Sequence, residues 1–309
     1  MNHKKNKPIP VPAAISAKAA SYAEQSAIRD LTQPLPEMRA MLREDYADSC
    51  TAAVEMSGVT LSDETIGGVR CLVITPAEPR PGRRLVYLFG GGFTLGSPFE
   101  DLPISAWLAA KTGAVVIAPD YPLAPEAPYP AALDACTTVI SSVLAETPGA
   151  CLCGESAGGN LALAAVHRLR VNGVPLPKAL ALLSPFVDLL NPGDSGLADR
   201  DPFLNQSEID FFRACYVGKE VDLTTPDVSP IYGPFDATFP PVFLTSGTRD
   251  HLLSGCVRLD RLLRQAGADC TLRVWEGMWH VFEFYPEIPE ADASLTEIAA
   301  FLDGHFAKA

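Results

Sequence analysis

Gly154-Glu155-Ser156-Ala157-Gly158-Gly159 decides the reading of this chain. A short apolar run, residues 151–153, precedes it. Leu161, Ala165 and Leu169 fall on one face of the helical pattern that follows. Gly-x-Ser-x-Gly between a strand and a helix is a nucleophile elbow. Its serine occupies a strained turn, so the positions two away on each side must be small. The start of the helix then places partial positive charge near a developing oxyanion. A glycine-rich turn without chemistry is the competing reading, and the strand-before, helix-after setting favours the nucleophile.

Outward from the elbow the chain alternates. Apolar runs at residues 85–89, 114–118, 150–153, 179–183, 242–245 and 270–274 are separated by helical patterns at 102–111, 129–145, 157–171 and 255–266, with a last helix over 291–306. Short apolar runs between amphipathic helices predict parallel strands buried on both faces and joined by right-handed crossovers. The fold class is α/β, a doubly wound and mostly parallel sheet. Residues 11–48 read as helical, over 13–28 and 37–46, divided by Pro34 and Pro36. Residues 50–76 read as strands, from the alternation at Val54, Met56, Val69, Cys71 and Val73. Residues 188–239, rich in Pro, Asp and Phe, break the rhythm and read as an insertion at the C-terminal edge of the sheet, where ligands bind in this class.

A serine hydroxyl needs a base, and the base needs an orienting acid. With an elbow of this kind the chain order is serine, acid, histidine. His167, His251, His280 and His305 follow Ser156. His167 lies in the helix after the serine, and His305 near the end of the last helix. His280 follows the strand at 270–274 by a short loop and is the expected base. Asp250, just after the strand at 242–245, is the expected acid. Its rival Asp260 lies within a helix, and His251 is too close in sequence to be its partner. Phe89-Gly90-Gly91-Gly92-Phe93 follows another strand, and its glycines free backbone N–H groups to face a ligand. Gly91 and Gly92, with the N–H of Ala157, are the expected oxyanion hole. A phosphate loop is the alternative for such a turn, but the Gly-Lys-Ser/Thr ending and the spaced third glycine are missing.

Composition narrows the function. The 309 residues carry 24 basic and 37 acidic side chains, a formal charge of −13, which argues against a nucleic-acid surface. Hydrophobic residues make up 48%, so a large core is expected. The eight cysteines sit inside apolar runs rather than at disulfide or metal spacings. Cys151 and Cys153 read as small core residues. The start is basic without the apolar stretch of a signal peptide, and no run is long enough to span a membrane. A cytoplasmic protein with no metal and no organic cofactor is expected.

With these residues placed, the chain resembles the hormone-sensitive-lipase-like esterases of the α/β-hydrolase superfamily, from about residue 85 to residue 282. The markers are Gly-Gly-Gly-Phe at 90–93, Asp120-Tyr121-Pro122-Leu123-Ala124-Pro125-Glu126, Tyr129-Pro130-Ala131-Ala132-Leu133-Asp134 and the elbow itself. The resemblance implies an α/β-hydrolase fold and a carboxylic-ester hydrolase with Ser156 as nucleophile, His280 as base and Asp250 as acid. It also implies a cap built from residues 1–48 and 188–239 on a catalytic domain of residues 49–309, and a homodimer is common in the family. Gly277-Met278-Trp279-His280-Val281-Phe282 resembles small-ester and lactone hydrolases. Two positions depart from the family. Phe89 stands where a histidine usually braces the glycine loop, and Pro122 where an arginine usually stands near Glu126. Phe93, Phe203, Phe212, Trp279 and Val281 are the candidate substrate contacts, with Phe211, Tyr216 and Phe282 nearby. A small or medium apolar ester or lactone is the expected partner. A ligand-binding module without catalysis and an amidase using the same triad remain as alternatives.

Overall fold

Short apolar runs become strands here because neither face of the sheet's centre meets water. The computed structural model describes residues 10–25, 28–190 and 193–306; the basic start at residues 1–9 lies outside them. Among the described residues the strands are Thr60–Ile66 (β1), Val69–Thr75 (β2), Arg84–Leu88 (β3), Val115–Pro119 (β4), Cys151–Glu155 (β5), Leu180–Leu183 (β6), Val242–Gly247 (β7) and Cys270–Trp275 (β8). β3 to β7 are buried almost throughout, as parallel strands covered by crossover helices must be.

The eight strands form one sheet in the order β1-β2-β4-β3-β5-β6-β7-β8. β2 runs antiparallel to β1 and β4, and the remaining pairs are parallel. Strand order reverses around β3 and β5, which makes their C-terminal ends a switch point. Register sets Leu88 beside Gly154, Glu155 beside Leu183 and Gly247 beside Trp275. The loops after β3, β5, β7 and β8 therefore leave from one edge.

The helices are Ala17–Ala23 (α1), Leu35–Ser57 (α2), Leu102–Thr112 (α3), Ala131–Glu146 (α4), Ser156–Val171 (α5), Asp194–Ala198 (α6), Gln206–Tyr216 (α7), Leu253–Gln265 (α8) and Pro289–His305 (α9). On the sheet α3 packs with α9 and α4 with α5. A large core surrounds the sheet, and a satellite cluster of Ala19, Ala23, Met278, Trp279, Phe282, Ile288 and Ala291 pins α1. Glu290 completes that anchor by accepting the Ser16 N–H at 2.6 Å and the Ser16 hydroxyl at 2.8 Å. All eight cysteines are free; seven are buried and Cys215 is partly exposed.

The N-terminal third corrects the sequence reading. The expected strand at 50–56 is the end of α2, which runs unbroken to Ser57 and stops at Gly58, φ 68°. Val54 and Met56 matched an alternation at only two positions, whereas Ala52, Ala53 and Glu55 are good helix formers with no breaker before a left-handed glycine. β1 is an edge strand exposed at six of its seven residues, so it carries no apolar signature. α1 is also shorter than the pattern over 13–28 suggested, starting where the Ser16 hydroxyl accepts the Ala19 N–H at 3.1 Å; residues 26 and 27 lie outside the described ones.

Candidate active site

Ser156 sits at the turn from β5 to α5 with φ 49°, a left-handed conformation that costs a non-glycine residue roughly 1–2 kcal/mol. The glycines around it allow the turn. A Cβ on Gly158 would lie 2.0 Å from the Leu88 carbonyl oxygen, and one on Gly154 would lie 2.5 Å from the Gly158 carbonyl oxygen. The strain presents Oγ to His280, whose Nε2 is 2.9 Å away. Nδ1 of the same ring is 3.0 Å from Asp250 Oδ1. Asp250 is fully buried and accepts the Ser246 hydroxyl at 2.6 Å and the Leu252 N–H at 2.9 Å.

The electrostatics follow from this chain of contacts. Burial pushes the Asp250 carboxyl up, but the His280 charge and hydrogen bond, with the Ser246 and Leu252 donors, hold it below the ordinary carboxylate value. Burial disfavours the His280 imidazolium, and the Asp250 carboxylate outweighs that, so its pKa rises. The three other histidines that follow Ser156 have partners elsewhere. His167 bonds the Pro230 carbonyl, and His305 the Phe301 carbonyl. His251 Nε2 is 3.3 Å from the Gln206 side chain. Asp260 pairs with Arg264 along α8.

The glycine loop lies beside the elbow. Gly91 and Gly92 have φ 96° and 61° and face the same cavity as Ser156. A tight turn fixes them, with the Gly91 carbonyl accepting from Thr94 N–H at 3.1 Å and Leu95 N–H at 2.9 Å. Ala157 is in the first turn of α5, where a backbone N–H has no helical partner. Phe89 stacks flat on Tyr121, centroids 3.9 Å apart at 5°, and the Tyr121 hydroxyl donates to the Phe89 carbonyl at 2.7 Å. Ring packing and the Tyr121 hydroxyl, which also reaches the Gly90 carbonyl at 3.5 Å, thus brace the loop where the resemblance leads one to expect a histidine.

A cavity of about 570 Å³ opens over Ser156. Of the expected contacts, Phe203, Phe212 and Val281 line it. Phe93 and Trp279 do not. Phe93 is buried and stacks on Tyr216 at 3.7 Å and 6°, which ties the glycine loop to α7. Trp279 is fully buried in the satellite cluster, where Tyr22, Phe203 and Tyr285 surround it. Aromatic residues next to a motif in sequence face the core when the loop turns them inward.

A model of the alpha/beta hydrolase fold matches residues 85–284. The chain belongs to that family. An acetyl-hydrolase of Streptomyces hygroscopicus is 33% identical over 244 residues, 77% of this chain and 81% of that protein. An esterase of Acinetobacter venetianus is 32% identical over 236 residues, 74% and 78% of the two chains. Among solved structures, a hormone-sensitive lipase from a metagenome library superposes with TM-score 0.84 at 31% identity, over 94% of this chain and 96% of the other. Esterase E25 does so with TM-score 0.86 at 29% identity, over 97% and 98%. This α/β hydrolase is a hormone-sensitive-lipase-like member.

Two features of the hydrolase site escaped the sequence reading. Arg39 of α2 supplies the charge that Pro122 lacks. Its guanidinium holds Glu126 bidentately at 2.8 Å and donates to the carbonyls of Thr94 at 2.8 Å and Ala124 at 2.9 Å. Glu155, adjacent to Ser156, forms a buried carboxyl pair with Asp101 beneath Gly90. Burial first, and then the Asp101 charge, keep Glu155 protonated well above its ordinary value. Asp101 is pushed up to about 7 by burial, with the Tyr87 hydroxyl, 2.9 Å away, pulling the other way. A Cβ on Gly90 would collide with the Glu155 carboxyl. A glycine before the loop and an acid in the elbow were visible in sequence, but their contact was not.

Proposed function

We propose that this hydrolase cleaves small to medium apolar carboxylic esters by acyl transfer through Ser156. The chain of hydrogen bonds from Ser156 through His280 to Asp250 carries the reading. His280 Nε2 takes the hydroxyl proton as Oγ attacks the ester carbonyl, and Asp250 holds the ring in position and stabilises the imidazolium. The N–H groups of Gly91, Gly92 and Ala157 receive the oxyanion. His280 then protonates the leaving alcohol, and water activated by the same ring releases the acid. The names of the acetyl-hydrolase and esterase relatives support ester chemistry, and the cavity volume supports a limited substrate.

The cap belongs to the same proposal. Tyr22, Met38 and Leu42 from the N-terminal part, and Leu204, Ile209 and Phe212 from the inserted segment, enclose the cavity, which supports their working as one lid over the triad. The free thiols fit a reducing compartment such as the cytoplasm. Among the described residues no helix is long and apolar enough to cross a membrane.

p-Nitrophenyl esters of rising acyl length test the substrate reading. kcat/KM should peak at short chains, and a preference for long chains strengthened at an oil interface would overturn it. A fluorophosphonate probe should label the wild type and not Ser156→Ala. An unlabelled wild type would favour a binding module.

A further inference from the structure

Asp201 belongs to the inserted segment yet reaches the foot of the triad. It is buried. Oδ2 accepts the backbone N–H of His280 at 2.9 Å and that of His251 at 3.1 Å, and Oδ1 accepts that of Phe203 at 2.9 Å. One carboxylate therefore ties together the loop after β8, the loop after β7 and the insertion, two residues before Phe203 meets the cavity. Burying a charge is costly, and although three backbone donors satisfy this carboxylate, a neutral amide oxygen could accept from them without the charge. Its position beside the base is the reason to retain the charge.

We propose that Asp201 is a positioning residue for ester hydrolysis, fixing the backbone of His280 and using its charge to support the imidazolium formed when Ser156 loses its proton. This rests on reading His280 as the base. The charged groups facing Asp201 are Asp250, His280 and Arg249, and those facing His280 are Asp250, Asp201, Arg29 and His251. Burial and the Asp250 charge push the Asp201 carboxyl up to about 7, against the pull of His280 and the backbone donors. On His280, Asp201 acts in the same direction as Asp250, while burial and Arg29 oppose them.

Asp201→Asn keeps an oxygen for the His280 and His251 donors and removes the charge; Asp201→Ala removes both. Imidazole nitrogen NMR, with the His280 signals assigned by their loss in His280→Gln, should show the His280 midpoint falling by about one unit in Asp201→Asn. The acidic limb of kcat/KM for p-nitrophenyl acetate should move down with it, and plateau kcat should fall about tenfold, further in Asp201→Ala. A folded Asp201→Asn whose His280 titration is unmoved overturns the proposal. A wild type that hydrolyses no ester sinks the esterase reading, while the NMR titration still decides the role of Asp201. If Asp201→Asn does not fold, carboxyl carbon NMR of the wild type decides. Asp201 ionised throughout the pH range in which His280 titrates supports the proposal, and an Asp201 still protonated at the pH of greatest activity refutes it.

Discussion

Left-handed backbone at Gly58 and Gly92 looks alike from the dihedral angle, φ 68° and 61°, yet the two sites meet different surroundings. A Cβ on Gly58 has nothing within 4 Å, whereas one on Gly92 would sit 2.3 Å from the Phe212 ring. Gly58→Ala should cost about 1 kcal/mol of stability from backbone strain alone and leave kcat unchanged. Gly92→Ala should lower kcat by at least about a hundredfold, because the clash displaces an amide of the glycine loop proposed to receive the oxyanion. Thermal melts and steady-state kinetics on the pair separate strain from chemistry. Glu155 gives a second residue-scale test. Its folded pKa is raised, so the stability it contributes is complete below the ordinary carboxyl value and is lost as pH rises through the folded value. Glu155→Gln should therefore flatten, relative to wild type, the fall in Tm as pH rises above the ordinary carboxyl value. An unchanged slope would show that the carboxyl pair does not hold that proton.

α2 does more than cover the cavity. Through Arg39 it grips the Thr94 carbonyl at the end of the glycine loop and the Ala124–Glu126 turn behind it. Arg39→Gln should lose about 1 kcal/mol, since the ion pair is half exposed and its carbonyl bonds carry most of the effect. Tm should fall by about 2–4 °C for a chain of this size, and kcat several-fold with KM little changed. Adding Pro122→Arg should restore part of kcat; no recovery would show that charge at that spot does not matter to the loop. This contact also marks the limit of sequence reading. The parallel strands were legible because burial on both faces leaves unbroken apolar runs, and the elbow because its strain needs small neighbours. Ser156, His280 and Asp250 could be chosen from loop positions, since each leaves the same sheet edge. Arg39, 55 positions from Thr94, carries no local mark of its partner. Phe93 and Trp279 misled for the complementary reason. An aromatic beside a motif is equally compatible with cavity and core until the loop's turn is known.

The formal charge of −13 surrounds a substrate reading that is neutral. A monoester of a dicarboxylic acid should be hydrolysed more slowly than a neutral ester of matched size at low salt, with the gap narrowing as salt screens the surface. A gap insensitive to salt would place the discrimination inside the cavity rather than in the field of the whole molecule.

The free cysteines have a practical consequence. A disulfide-exchange reagent added to the native protein should consume a single sulfhydryl quickly, that of Cys215, because the other seven sit behind packed side chains. Each slower reaction then times an opening of the segment that hides it. Cys153 behind the elbow, Cys50 on α2 and Cys270 on the edge strand β8 become clocks for three regions, and labels introduced by nature can rank which part of the enzyme loosens first.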